Sequence, residues 1–238
     1  MIYLRSLLFN ILFFLWTILI TLTATVGIVS QRFIVRVAYI WGLGTHFLLR
    51  MIIGVTYEIR GQENWDGKPA IFASKHQSIL ETTMIQVLAF NSVIILKREL
   101  TWIPFFGQAI LRSGIIPLDR SKGRSVLAQL VQGAKVYLAQ GRPIFIFPEG
   151  TRVSPQATTR LRYGIAALYK ETGVRVIPVA LNTGFFWGRR QFLKKPGKVI
   201  YQILPPIEPG MNEYKFLKHL EAVIEEACQQ INKETQHA

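Results

Sequence analysis

From Leu7 to Val29 the chain carries no charged residue and a single strongly polar one, Asn10. Inside lipid every backbone N–H and C=O must be satisfied within the segment. Such a run therefore has to be helical, and roughly 20 residues suffice to cross the hydrocarbon core. The alternative is a secretory signal, but the run is long for one and no small-x-small cleavage site follows it. The next segment, Gln31 to Val55, differs. Offsets of 4, 7, 14 and 18 from Arg32 place Arg36, Tyr39, His46 and Arg50 on one side of a helix. Phe33, Ile34, Ile40, Trp41, Phe47, Leu48, Met51 and Ile52 occupy the other faces. This reads as an amphipathic helix lying in the membrane interface, or as a core helix with one solvated face. Residues 1–54 are thus expected to anchor the chain, with a span at 7–29 and an amphipathic helix at 31–54, and 55–238 to form a second domain. Arg5 precedes the first run, whereas Arg32, Arg36 and Arg50 follow it. That excess favours a cytoplasmic membrane location, with everything after residue 30 on the cytoplasmic side. A hairpin that dips in and returns would keep both ends there.

The formal charge is +14, from 28 Lys and Arg against 14 Asp and Glu. The balance favours anionic partners, such as phospholipid headgroups, phosphorylated substrates, coenzyme A, an acidic carrier protein or nucleic acid, without choosing among them. One cysteine, Cys228, excludes an intramolecular disulfide. His46, His76, His219 and His237 are scattered and form no zinc spacing, so no metal site is expected.

Beyond residue 54, strand-like and helix-like stretches alternate. Val55 to Arg60 alternates apolar and polar residues, and Pro69–Ser74, Ser92–Leu96, Pro143–Phe147, Val174–Leu181 and Val199–Leu204 are short apolar runs. Between them, Thr82–Phe90, Pro104–Leu111, Ser125–Gln140 and Arg162–Tyr169 read as helices, and Met211–Ile231 closes the chain as another. Cys228 falls on the apolar face of that last helix and is assigned to packing. The alternation predicts an α/β fold, a mostly parallel sheet flanked by helices and preceded by the two-helix membrane segment.

Ala73-Ser-Lys-His76-Gln-Ser78-Ile-Leu-Glu81 lies where a strand passes into a helix. Within one straight helix His76 and Glu81 would diverge, but they meet if His76 lies in the preceding turn. Ser78-Ile-Leu-Glu81 is also a capping-box pattern, which by itself would make Glu81 a cap and His76 a loop histidine. The functional reading has Glu81 accept the Nδ1 proton of His76, leaving Nε2 free as a general base toward a substrate hydroxyl. A second cluster, Phe147-Pro-Glu149-Gly150-Thr151-Arg152, follows a buried strand, where α/β sheets bind ligands. Gly150 admits a close backbone approach, Arg152 offers a fork suited to phosphate, and Glu149 could orient that arginine or a hydroxyl. Lys97 and Arg120 add cations at strand ends. The basic loop from Gly188 to Lys198 reads equally as a solvated connection or as a membrane-surface or polyanion contact.

The order of these clusters, ending with Val176-Ile-Pro178-Val-Ala-Leu-Asn182, resembles the glycerolipid acyltransferase family over roughly Lys68 to Asn182. Within that family it is most similar to the enzymes that acylate lysophosphatidic acid. The resemblance makes 55–238 an acyltransferase catalytic domain. It implies that His76 acts as base on the 2-hydroxyl of the lysolipid, oriented by Glu81. The hydroxyl then attacks the thioester of acyl-coenzyme A or acyl carrier protein, giving phosphatidic acid with no further cofactor. It also implies that Arg120, Glu149, Gly150, Thr151 and Arg152 hold the glycerol phosphate, helped by Lys97, and that the stretch around Pro178 serves the acyl donor. The sequence departs from the family at Glu81, where aspartate is commoner, at Lys75, where asparagine is frequent, and at Pro117, often aromatic. Those departures leave other acceptors open, among them lyso-ornithine lipid, other lysophospholipids and glycerol 3-phosphate. The expected partners are membrane lipids, lysophosphatidic acid and the acyl donor, with no nucleic acid. A membrane-anchored module that binds anionic lipid or nucleic acid without catalysis is the competing class, and it leaves the paired His76 and Glu81 unexplained.

Overall fold

The computed structural model describes residues 1–119 and 125–237. In chain order, α1 (Ile2–Val26) and α2 (Gln31–Leu48) are followed by a π-helical turn, Leu49–Ile53. Then come β1 (Val55–Arg60), β2 (Ile71–Ser74), α3 (Leu80–Leu88), β3 (Val93–Lys97), α4 (Phe106–Ser113) and β4 (Ile115–Leu118). The rest is α5 (Ser125–Ala139), β5 (Ile144–Ile146), α6 (Gly164–Thr172), β6 (Val176–Leu181), β7 (Gly197–Ile203) and α7 (Glu213–His237).

The seven strands form one sheet in the order β1-β7-β6-β2-β5-β3-β4. Every neighbouring pair is parallel except β6 with β7. This is the expected α/β architecture. β2, β5 and β6 are short, almost wholly apolar and buried throughout, as central parallel strands covered on both faces must be. β1 and β4 are the edges. β4 arises from an Ile-Ile-Pro-Leu segment that is not among the strands expected from the sequence. Its Pro117 lacks a ladder donor and is tolerated because only β3 lies beside it.

Helices cover both faces. α5, α6 and α7 pack on one, where Phe216, Leu220, Ile224, Cys228 and Ile231 form the predicted buried stripe of α7. The opposite face is covered by α3, the π-helical turn and α1, whose Phe9 and Phe13 share a core with Leu80, Met84 and Val199. Each such large side chain contributes roughly 1.5–3 kcal/mol by leaving water. α2 lies across α3, so close that a Cβ on Gly42 would come within 2.2 Å of the Thr83 carbonyl. The two N-terminal helices are therefore packed into the same layered body as the sheet.

α1 is the one helix among the described residues long and apolar enough to cross a membrane. Its outer face, including Leu4, Phe14, Leu15, Ile18, Leu19 and Leu22, is bare. Arg32 and Arg36 of α2 and Arg50 of the π-helical turn are exposed, but His46 corrects the expected stripe. It is buried, with Nε2 at 2.9 Å from the Tyr201 hydroxyl and Nδ1 at 3.1 Å from the Gly42 carbonyl. The Tyr201 hydroxyl of β7 is what holds His46 toward the sheet. Burial lowers the His46 imidazole to about 4, and it is neutral in the core.

Candidate active site

The parallel arrangement brings the carboxyl ends of β2, β5 and β6 side by side, and the loops leaving them build the site. After β2 the chain does not enter α3 at once. Lys75 to Ile79 form a turn, and the helix starts at Leu80. The Ser78 hydroxyl accepts the Leu80 N–H at 3.2 Å, one residue short of the N–H a full capping box would take. The returning half of the box does form, because Glu81 Oε1 accepts the Ser78 N–H at 2.6 Å.

That turn lets residues five apart meet. His76 Nδ1 lies 2.8 Å from Glu81 Oε1, which also takes the Gln77 N–H at 2.7 Å. Oε2 accepts from the Thr183 hydroxyl at 2.7 Å. Glu81 is fully buried, and four donors replace its lost hydration. One carboxylate thus holds the turn before the helix and meets His76, the geometry that both readings of Glu81 require. With Nδ1–H committed to Glu81, Nε2 is the nitrogen left with a lone pair. The imidazole is further fixed by stacking on Phe147, 4.0 Å between centroids.

The backbone of His76 is clamped by the turn after β5. Its N–H donates to Glu149 Oε2 at 2.8 Å, and its carbonyl accepts the Val153 N–H at 2.8 Å. Gly150 sits in that turn at φ 71°, a left-handed conformation that suits glycine. Glu149 corrects the sequence reading. It is 1% exposed and faces the rear of the turn, not the cavity, so it positions His76 and does not hold substrate. Lys75 explains why a carboxylate is there. Its ammonium, equally buried, lies 3.1 Å from Glu149 Oε1, off the hydrogen-bonding direction, and is ion-paired with Glu225 of α7. Burial pushes the Glu149 carboxyl up to about 7 against the pull of Lys75 and of the His76 N–H. Burial disfavours the charged Lys75, but the hydrogen bond to Glu225 and the charge of Glu149 outweigh it and raise it above the usual lysine value.

His76 opens on a cavity of about 730 Å³. Its floor is apolar, built from Ile94, Leu96, Leu118, Leu127, Leu130 and Phe147. Its rim carries Lys97, Arg152, Arg162, Arg189 and Arg190, and no carboxylate among the described lining residues. Among the described residues none of these five cations is ion-paired, whereas neighbouring Arg98 pairs with Asp119 at 3.0 Å. Such a site fits a ligand with an anionic head and an apolar tail. Of the residues expected to hold substrate, Lys97, Gly150, Thr151 and Arg152 line the cavity, while Arg120 lies outside the described residues. Sequence reasoning missed Arg162 and Thr183, and it left open the role of the loop that supplies Arg189 and Arg190.

Comparison with known proteins agrees with this geometry. The acyltransferase family model matches residues 56–182. The 1-acyl-sn-glycerol-3-phosphate acyltransferase of Pseudomonas aeruginosa is 37% identical over 159 residues, covering 67% of this chain and 62% of that protein. The mouse 1-acyl-sn-glycerol-3-phosphate acyltransferase alpha is 29% identical over 162 residues, covering 66% of this chain and 57% of its own length. The match thus spans less than two thirds of these relatives. The crystal structure of the 1-acyl-sn-glycerophosphate (LPA) acyltransferase from Thermotoga maritima has the same fold, with a TM-score of 0.79, 23% identity and 98% of each chain covered.

Proposed function

The chain belongs to the acyltransferase family, and from that premise we propose that it moves a fatty acyl group from acyl-coenzyme A or acyl carrier protein to the 2-hydroxyl of lysophosphatidic acid, giving phosphatidic acid. The observation that carries this reading is the 2.8 Å His76–Glu81 contact at the mouth of an apolar cavity rimmed by cations that have no ion pair among the described residues. The rim, with Lys97 and Arg152 foremost, takes the phosphate, and the apolar floor takes acyl chain. His76 Nε2 accepts the proton of the 2-hydroxyl as its oxygen attacks the thioester carbonyl. Glu81 balances the imidazolium that forms. Collapse of the tetrahedral intermediate breaks the C–S bond, and the Nε2 proton goes to the departing thiolate. His76 ends as it began, and no group of the protein is acylated.

Membrane attachment follows from α1. Its bare apolar face suits lipid, yet Phe9 and Phe13 are packed into the catalytic core and Ala24 packs with Ala109 of α4. A helix tied to the domain along its length favours the dipping hairpin over a free-standing span, with the catalytic domain on the cytoplasmic face.

The test is purified full-length protein in detergent, given lysophosphatidic acid with each acyl donor. Free thiol and phosphatidic acid should appear together, and His76→Ala should lower kcat by about 10²–10⁴ without altering the melting temperature. If neither donor supports acylation, or His76→Ala turns over normally, the reading fails.

A further inference from the structure

The basic loop between β6 and β7 does two things at once. It sends Arg189 and Arg190 to the cavity rim, and it buries Lys194 against the anchoring helix. Lys194 Nζ donates to Asn10 Oδ1 of α1 at 2.7 Å and to the loop carbonyls of Phe192 and Gln191 at 2.8 and 3.3 Å. Its backbone N–H donates to the Ser6 hydroxyl of α1 at 3.0 Å. Every one of these partners is neutral. The ammonium also lies 4.6 Å over the ring of Trp187, which meets Phe9 and Phe13 edge-on at 5.2 and 5.1 Å. Burial draws Lys194 down to about 8. The loop is therefore docked at both ends on α1, and between those ends it is under strain. Arg190 sits at φ 58°, a conformation that side-chain-bearing residues adopt only when their surroundings hold them there. Arg189 reaches across to the Arg152 carbonyl at 3.5 Å, so the loop abuts the turn that carries the other rim arginine.

We infer that α1 is part of the acceptor site: Lys194, seated on Ser6 and Asn10, holds the Trp187–Lys194 loop so that Arg189 and Arg190 bind the acceptor's phosphate. This rests on the acyltransfer reading above and extends it. Lys194 is a positioning residue, acting through the two arginines. The anchoring helix then sets affinity for the phosphate as well as attachment.

Lys194→Met keeps the packed stem and removes the ammonium. In full-length protein in detergent it should raise the KM for lysophosphatidic acid about tenfold with kcat held within about twofold, and leave the KM for a phosphate-free monoacylglycerol where it was. Ser6→Ala should act in the same direction, more weakly, should Lys194→Met fold poorly. A second readout needs no turnover. Trypsin cleavage after Arg189 and Arg190 should be faster in Lys194→Met, and in the wild type lysophosphatidic acid should slow it while monoacylglycerol does not. Equal rises in KM for both acceptors, or trypsin rates unaffected by the variant and by lysophosphatidic acid, would overturn the inference. A wild-type protein that acylates nothing would sink the acyltransfer reading, and the trypsin rates alone would then decide whether the loop is docked as an anion site.

Discussion

Replacing Lys75 by methionine should cost more stability at pH 8 than at pH 5. Glu149 has no exit to solvent, and the groups facing it are Lys75, the His76 N–H and, beyond the lysine, Glu225. Its carboxyl already stands at about 7 against an ordinary 4.5. At about 1.4 kcal/mol per pKa unit, ionising it in place costs the fold roughly 3 kcal/mol. For an acid raised in the folded state, that stability is present below the unfolded pKa and is lost as pH climbs through the folded one. Lys75→Met removes the cation that limits the rise. At pH 5 Glu149 is protonated with or without Lys75, and the variant loses mainly the pair with partly buried Glu225. At pH 8 the wild type holds an ion pair where the variant must either bury a lone carboxylate or keep it protonated. Keeping the acid protonated at pH 8, about one unit above its folded value of about 7, costs about 1.4 kcal/mol beyond the loss at pH 5. For a chain of this size that is a further fall of roughly 3–6 °C in melting temperature. Melting curves in detergent at both pH values would show it, and Lys75→Met with Glu149→Gln should flatten the difference. A loss of equal size at pH 5 and pH 8, or a double variant no better than the single, would refute the argument.

Two further outcomes follow from the site. Glu81→Gln keeps the shape of the hydrogen-bond cluster but removes the charge opposite His76, so kcat should fall by about 10² or more while KM and melting temperature move little; steady-state kinetics with circular dichroism melts check this. Arg152→Ala should raise the KM for lysophosphatidic acid about tenfold and affect a phosphate-free acceptor far less; an equal loss for both would remove Arg152 from the phosphate site.

What could be read in advance was whatever has a local pattern. The helical period of α5 and α7, the apolar runs of β2, β5 and β6, and the His76–Glu81 spacing all depend on neighbours in sequence, and the structure keeps each of them. The rest depends on sheet order. Thr183 reaches Glu81 only because β6 lies beside β2, and Glu225 reaches Lys75 only because α7 crosses behind that strand end. Lys75 looks like a solvated charge in a turn, and nothing nearby in the chain reveals two carboxylates waiting for it. Glu149 misled for the same reason: beside Arg152 it resembles a substrate ligand, but its side chain answers to a turn more than 70 residues earlier. His46 was lost for the same reason, because its partner Tyr201 lies 155 residues further along the chain.

The single antiparallel pairing has a consequence for how such a protein can diversify. Because β7 reverses direction beside β6, the excursion from Asn182 to Pro196 leaves and rejoins the sheet at the same end of the strands, with no crossover to preserve. Its length and charge can drift without re-threading the strands. Strands β3, β4, β5 and β6 lack that freedom, since each is reached by a helix packed against the sheet. On the acyltransfer reading, this loop is a permissive place for a lineage to change its acceptor headgroup, and here it carries Arg189 and Arg190.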